Sequence, residues 1–116
     1  MKDSNVILEK SYGFGLRVVK RYMHLRERNI ERALIVQLLR SGTSIGANVE
    51  EAVGAQSKND FIHKINIAYK EARETHYWLR ILKDAGLLED KLAASFINDA
   101  EELKKILFSI LKSSKT

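Results

Sequence analysis

The chain has 116 residues, no cysteine, no proline and a formal net charge of +5. That length fits one domain with its own core, and the lack of cysteine excludes disulfides and thiolate metal sites. The basic balance favours acidic partners such as nucleic acid, and the lack of proline suits helices joined by short turns.

A first helix is predicted over about residues 5–28, with Asp3 or Ser4 as its cap. Ile7, Ser11, Phe14, Val18, Tyr22 and Leu25 recur at helical spacing and make its inward stripe. Leu8, Tyr12, Leu16, Val19 and Met23 form a second apolar face, more than a lone bundle can hide. Gly13 and Gly15 are expected to soften the first half, leaving the residues before Ser11 less regular. No strand precedes these glycines and no third follows at dinucleotide-loop spacing, so they do not read as a cofactor loop.

Asn29 marks a turn into a second helix over about residues 30–54. Leu34, Leu38, Gly42, Ile45, Val49 and Ala52 lie on one of its faces, with a polar row of Gln37, Ser41, Ser44, Asn48 and Gln56 beside them. Ile35, Leu39, Gly46 and Val53 widen the apolar surface on the other side. A helix-interior glycine costs about 1 kcal/mol against alanine. Gly42 and Gly46 therefore imply a very close neighbour, and the width of the apolar surface suggests packing both within the subunit and against another one.

Ser57-Lys58-Asn59-Asp60 resembles a capping box with Asp in place of Glu, and it opens a third helix over about residues 58–85. Phe61, Ile65, Ala68, Ala72, Thr75, Leu79 and Leu82 point inward, and Gly86 stands where a helix stop is expected. Ile67, Trp78 and Ile81 lie off that stripe and read as an oligomer contact. Glu89 or Asp90 opens a fourth helix over about residues 90–113, with Leu92, Phe96, Ala100, Leu103, Leu107 and Ile110 inward. Four amphipathic helices of similar length with short connections predict an all-α, antiparallel up-down-up-down four-helix bundle in a single domain.

The candidate chemistry is sparse. His24, His63 and His76 are scattered without zinc spacing, and Asp60-Phe61-Ile62-His63 is an isolated near miss to a di-iron motif. Neither a nucleophile elbow nor a phosphate loop occurs, so no enzyme activity, cofactor or metal is expected. Glu71 and Glu74 share a face, an arrangement that is usually solvated or bridged to a cation. Glu51 is expected to pair with an arginine of the third helix, Arg73 or Arg80.

The strongest charge pattern is on the first helix. Lys10, Arg17, Arg21, His24 and Arg28 share one stripe, with Lys20 and Arg26 nearby. Such a row can neutralise successive phosphates; equally, it can be a solvated face whose charges suit the helix dipole. Lys104, Lys105 and Lys112 read as ordinary surface charge. The longest apolar runs are too short to span a bilayer. The stretch MKDSNVILEK lacks a signal-peptide core, so a soluble cytoplasmic protein is expected.

The run Gln37-x-x-Arg40-x-x-x-Ser44-Ile45-x-x-Asn48-Val49-x-Glu51, followed by Ser57, Phe61, Ala68 and Glu74, resembles the proteins encoded by intervening sequences in bacterial 23S rRNA genes. The accessory proteins of diversity-generating retroelements are related to that family. The resemblance covers nearly the whole chain, with departures at Gly46, where Pro or Ala is common, and at Ala52, where Gly is. It implies a four-helix bundle and a ring-shaped homo-oligomer, a pentamer. Gln37, Arg40, Ser44, Asn48 and Glu51 carry nothing catalytic and are expected to fix helix register.

Two functions compete. One is a basic homo-oligomer that binds structured RNA or RNA–DNA hybrid by phosphate contacts through Lys10, Arg17, Lys20, Arg21 and Arg28. The other is a scaffold whose basic face docks an acidic protein partner such as a reverse transcriptase. The resemblance leans toward the first.

Overall fold

The computed structural model describes residues 2–114, with side chains over 5–114. Four helices, α1 Lys2–Glu27, α2 Arg32–Val53, α3 Lys58–Asp84 and α4 Asp90–Ser114, account for its regular structure. No strand occurs among the described residues. Each helix packs on its neighbours in the chain, and α4 closes back on α1, with no close backbone approach between diagonal helices among the described residues. That is the antiparallel up-down-up-down arrangement. The long axis of 45 Å is about what helices of this length give at 1.5 Å per residue, with the turns added.

The turns show why the helices stop where they do. Asn29 at φ 57° and Gly86 at φ 77° take the left-handed conformation after α1 and α3. Asn and Gly are the residues that adopt it most readily. At both ends a paired closure forms: Asn29 and Ile30 donate backbone N–H to Arg26 and Leu25, and Gly86 and Leu87 donate to Lys83 and Leu82. This is a Schellman motif. Ser57 caps α3, its hydroxyl accepting from the Asp60 N–H at 3.0 Å, as the Ser-Lys-Asn-Asp run suggests.

Most residues of the inward stripes read from spacing are buried; Leu34, Phe61 and Leu92 are half-buried, and Ile35, expected on the other side of α2, is fully buried. In α1 the buried set is Ile7, Ser11, Phe14, Val18, Tyr22 and Leu25, and in α4 it includes Phe96, Ala100, Leu103, Leu107 and Ile110. Buried hydroxyls bond within their own helices, Ser41 to the Gln37 carbonyl at 2.8 Å and Thr75 to that of Glu71 at 2.7 Å. Little polar desolvation is therefore left uncompensated.

The start of α1 corrects one expectation. The helix runs unbroken from Lys2, so Gly13 and Gly15 do not loosen the residues before Ser11. Their propensity cost of about 1 kcal/mol each is outweighed by burial of Ile7, Phe14 and Val18, worth about 1.5–3 kcal/mol apiece. The backbone at Asp3 and Ser4 is already helical, so the expected start there lies inside α1; their side chains fall outside the described residues.

Gly42 and Gly46 do mark close approach, and the close neighbour is α1 of the same chain. A Cβ on Gly46 would stand 3.2 Å from the Ser11 carbonyl oxygen, and one on Gly42 would meet the Val18 methyls at 2.9 and 3.0 Å. The glycines are thus accounted for inside the subunit. They bring α1 and α2 together closely enough that their outer edges form a shallow groove.

Candidate nucleic-acid interface

The basic stripe of α1 divides into two halves. In the first half the cations are engaged by α4. Lys10 Nζ lies 3.1 Å from Glu102 Oε1. Arg17 donates to Asp99 Oδ2 at 2.7 Å and to the Ser95 hydroxyl at 2.8 Å. The Arg17 guanidinium also stacks over the Phe96 ring, 3.9 Å from its centroid, and Phe96 meets Phe14 edge-on at 6.2 Å. Stacking and a charge-assisted bond at one partly buried site make Arg17 a clamp between α1 and α4.

In the second half, Lys20, Arg21, His24, Arg26 and Arg28 form no ion pair with any described residue, and neither does Arg32 at the start of α2. Arg21 is half-buried, and its Nε is enclosed without a hydrogen-bond partner. The other residues of this group are exposed. Glu27 and Glu31 are the acidic residues of the segment, and Glu31 is turned to the Ala33 N–H of its own helix start.

Sequence spacing predicts all five binding residues on the first helix, but α1 ends at Glu27 and Arg28 lies in the turn after it, and spacing does not reveal that Lys10 and Arg17 are already paired. The missed partners are Ser95, Asp99 and Glu102. Their spacing of four and three on α4 mirrors an antiparallel neighbour, and it is the one signal that could have exposed the pairing. Arg32 was also missed, because it follows the Asn29 turn and belongs to another helix.

The residues of the α2 motif form a polar seam with α3. Arg40 donates from Nη1 to Glu71 at 3.2 Å and from Nη2 to Glu74, and its Nε reaches Gln37 Oε1 at 3.4 Å. Glu74 also accepts from the Trp78 indole N–H at 3.0 Å. Ser44 and Asn48 bond back to carbonyls of their own helix, those of Arg40 and Ser44. Glu51 pairs with Lys64 at 2.7 Å and not with Arg73 or Arg80. The short turn sets the end of α2 beside the start of α3, whereas those arginines lie turns further along. The hydrogen bond from Lys64 to Glu51, followed by the carboxylate's charge, raises the Lys64 pKa.

On the α3–α4 side His76 Nε2 lies 2.9 Å from Glu101, which also accepts from Lys104 at 3.0 Å. Burial, then the Lys104 charge, lowers the His76 pKa despite the nearby carboxylate. The Lys104 hydrogen bond lowers that of Glu101. Lys104 is therefore a bridging residue as well as a surface charge. Of the expected contact residues, Ile67 and Trp78 are half-buried, and Ile81 is exposed beside Tyr77.

No cluster of three or more metal-ligating side chains occurs among the described residues, and no described helix is long and apolar enough to cross a membrane. Fold and surface together define a small all-α bundle with a polar α2–α3 seam and a half-free basic stripe. The chain belongs to the 23S rRNA-intervening sequence protein family, whose model matches residues 3–109. A solved structure from Bacteroides thetaiotaomicron, a protein of unknown function from the S23 ribosomal protein family, is similar to it at 46% identity. That match covers 95% of this chain and 98% of the other, with a TM-score of 0.92. Among functionally curated proteins none matches the chain.

Proposed function

We propose that the chain is a non-enzymatic homo-oligomer that binds structured RNA or RNA–DNA hybrid through phosphate contacts. The observation that carries this reading is the run of cations from Lys20 to Arg32, which have no carboxylate partner among the described residues. Lysine and arginine left free along the end of α1, the turn after it and the start of α2 can neutralise successive phosphates of a backbone, contacts that fix position and carry no sequence information. Membership of a family described by 23S rRNA intervening sequences supports RNA over other polyanions, and the resemblance to retroelement accessory proteins extends the reading to hybrids. Arg21 and Arg28, with Lys20, are the principal contacts. Lys10 and Arg17 contribute charge from positions already engaged by Glu102 and Asp99.

A closed ring would repeat this half-stripe around an axis and raise binding by avidity. The exposed apolar residues on α1 and α3 motivate an oligomer; the number five comes from the family resemblance alone. Binding of a generic RNA hairpin across a salt series tests the function. Affinity should fall linearly on a log–log plot, as counterion release requires. Affinity that is indifferent to salt, or binding only to an acidic protein, would replace this reading with the scaffold.

A further inference from the structure

We infer that the groove between α1 and α2 seats a second copy of this chain, which inserts the exposed ridge of its α3 around Tyr77 and Ile81; this rests on the homo-oligomer reading above. The groove has a volume of about 470 Å³, and Tyr12, Leu16, Val19 and Ala47 line it, with Glu50 at its lip. Tyr12 is 68% exposed and Leu16 46%, and Met23, one turn beyond Val19, is 46% exposed. Large apolar side chains this open, in a row along α1 and bordered by Ala47 of α2, mark a contact surface. A groove between helices is the shape that receives another helix.

Charge and composition point to the occupant. Glu50 forms no ion pair with any described residue. On α3, Tyr77 is 47% exposed and packs edge-on against Trp78 at 5.2 Å. Arg73 and Arg80 flank it at i−4 and i+3 on the same exposed face, and neither has a carboxylate partner among the described residues. Tyrosine, tryptophan and arginine are the residues enriched at protein interfaces. The chain therefore carries an acidic-lipped apolar groove between α1 and α2 and a basic aromatic ridge on α3. Two different faces meeting head to tail give a heterologous contact, which closes into a ring when its rotation permits. Phe108, the other exposed aromatic on this half, is partly covered by the Tyr69 ring at 6.0 Å.

The test is light scattering on the intact chain and on variants whose helicity is checked by circular dichroism. The parent should show a mass several times 13.3 kDa. Leu16→Glu with Ala47→Glu changes two sites at the groove without touching the core, and it should return the mass to that of one chain. Arg73→Glu with Arg80→Glu should weaken assembly in the same way, and adding Glu50→Arg to that pair should restore part of it. A parent that is monomeric at micromolar concentration removes the homo-oligomer reading itself. An oligomeric parent whose mass is unchanged by the helical groove variant overturns the groove alone. Dissociation by the groove variant with no effect of the α3 variant overturns the pairing with Tyr77 and Ile81.

Discussion

The two halves of the basic stripe carry the same kind of charge and stand in different physical situations. Lys10 and Arg17 face α4, where Glu102, Asp99 and Ser95 meet them and Phe96 lies flat under the guanidinium. From Lys20 onward no carboxylate of α4 pairs with the stripe, and the cations remain unpaired among the described residues. A cation with a partner in its own fold contributes to packing, and a phosphate must compete with that partner to bind it. A cation without one loses little besides its hydration when a phosphate arrives. The stripe is therefore read by what faces it and not by its own periodicity.

The contrast can be broken first at Arg17. Arg17→Glu removes the stacking on Phe96 and sets a carboxylate against Asp99, so urea unfolding should show a loss of about 2 kcal/mol. A change below about 0.5 kcal/mol would make Arg17 a surface charge like its successors. Arg40→Ala is the comparison from the α2–α3 seam. It leaves Glu71 and Glu74 side by side without their cation and should cost about 1 kcal/mol by the same measurement. Lys10→Ala loses one exposed pair, and thermal unfolding should register at most about 0.5 kcal/mol. Arg28→Ala has no partner to lose, and its unfolding curve should overlay that of the parent.

A pH series gives a control away from the stripe. His76 titrates below the ordinary imidazole value of 6.5 because burial and Lys104 disfavour its charged form. Below pH 6.5 the unfolded chain then binds more protons than the folded one, and stability falls with the pH. Glu101, held below its ordinary 4.5 mainly by the Lys104 hydrogen bond, adds a further loss in the more acidic range. His76→Gln should flatten the part of the profile nearest neutrality and leave the acidic part; a profile that keeps its slope there would assign the loss to other groups.

Much of the fold was legible because it depends on local chemistry. Spacing alone picks out the buried faces, Ser57 caps α3, and Asn29 and Gly86 end α1 and α3 through left-handed backbone. The close approach at Gly46 was also legible, since a helix-interior glycine needs a reason, although its neighbour proved to be Ser11 of the same chain. The pairings were not legible. Whether Glu51 meets Arg73 or Lys64, and whether Arg17 is free, depends on how far antiparallel helices slide past each other. The turns and the core set that register, and no single helix encodes it. The α1–α2 groove was half visible: its residues stood out as surplus apolar surface, but its shape required both helices in place.

The most direct measurement compares the two halves in one assay, binding of a structured RNA hairpin followed by anisotropy over a salt series. Lys20→Glu with Arg21→Glu and Arg28→Glu should weaken binding at least about 100-fold, with a shallower salt slope, since three phosphate contacts are reversed together. Lys10→Gln with Arg17→Gln should weaken it several-fold at most once folding is confirmed by circular dichroism. If the first variant binds as the parent does, or the second falls as far as the first, the unpaired half of α1 is only a solvated face.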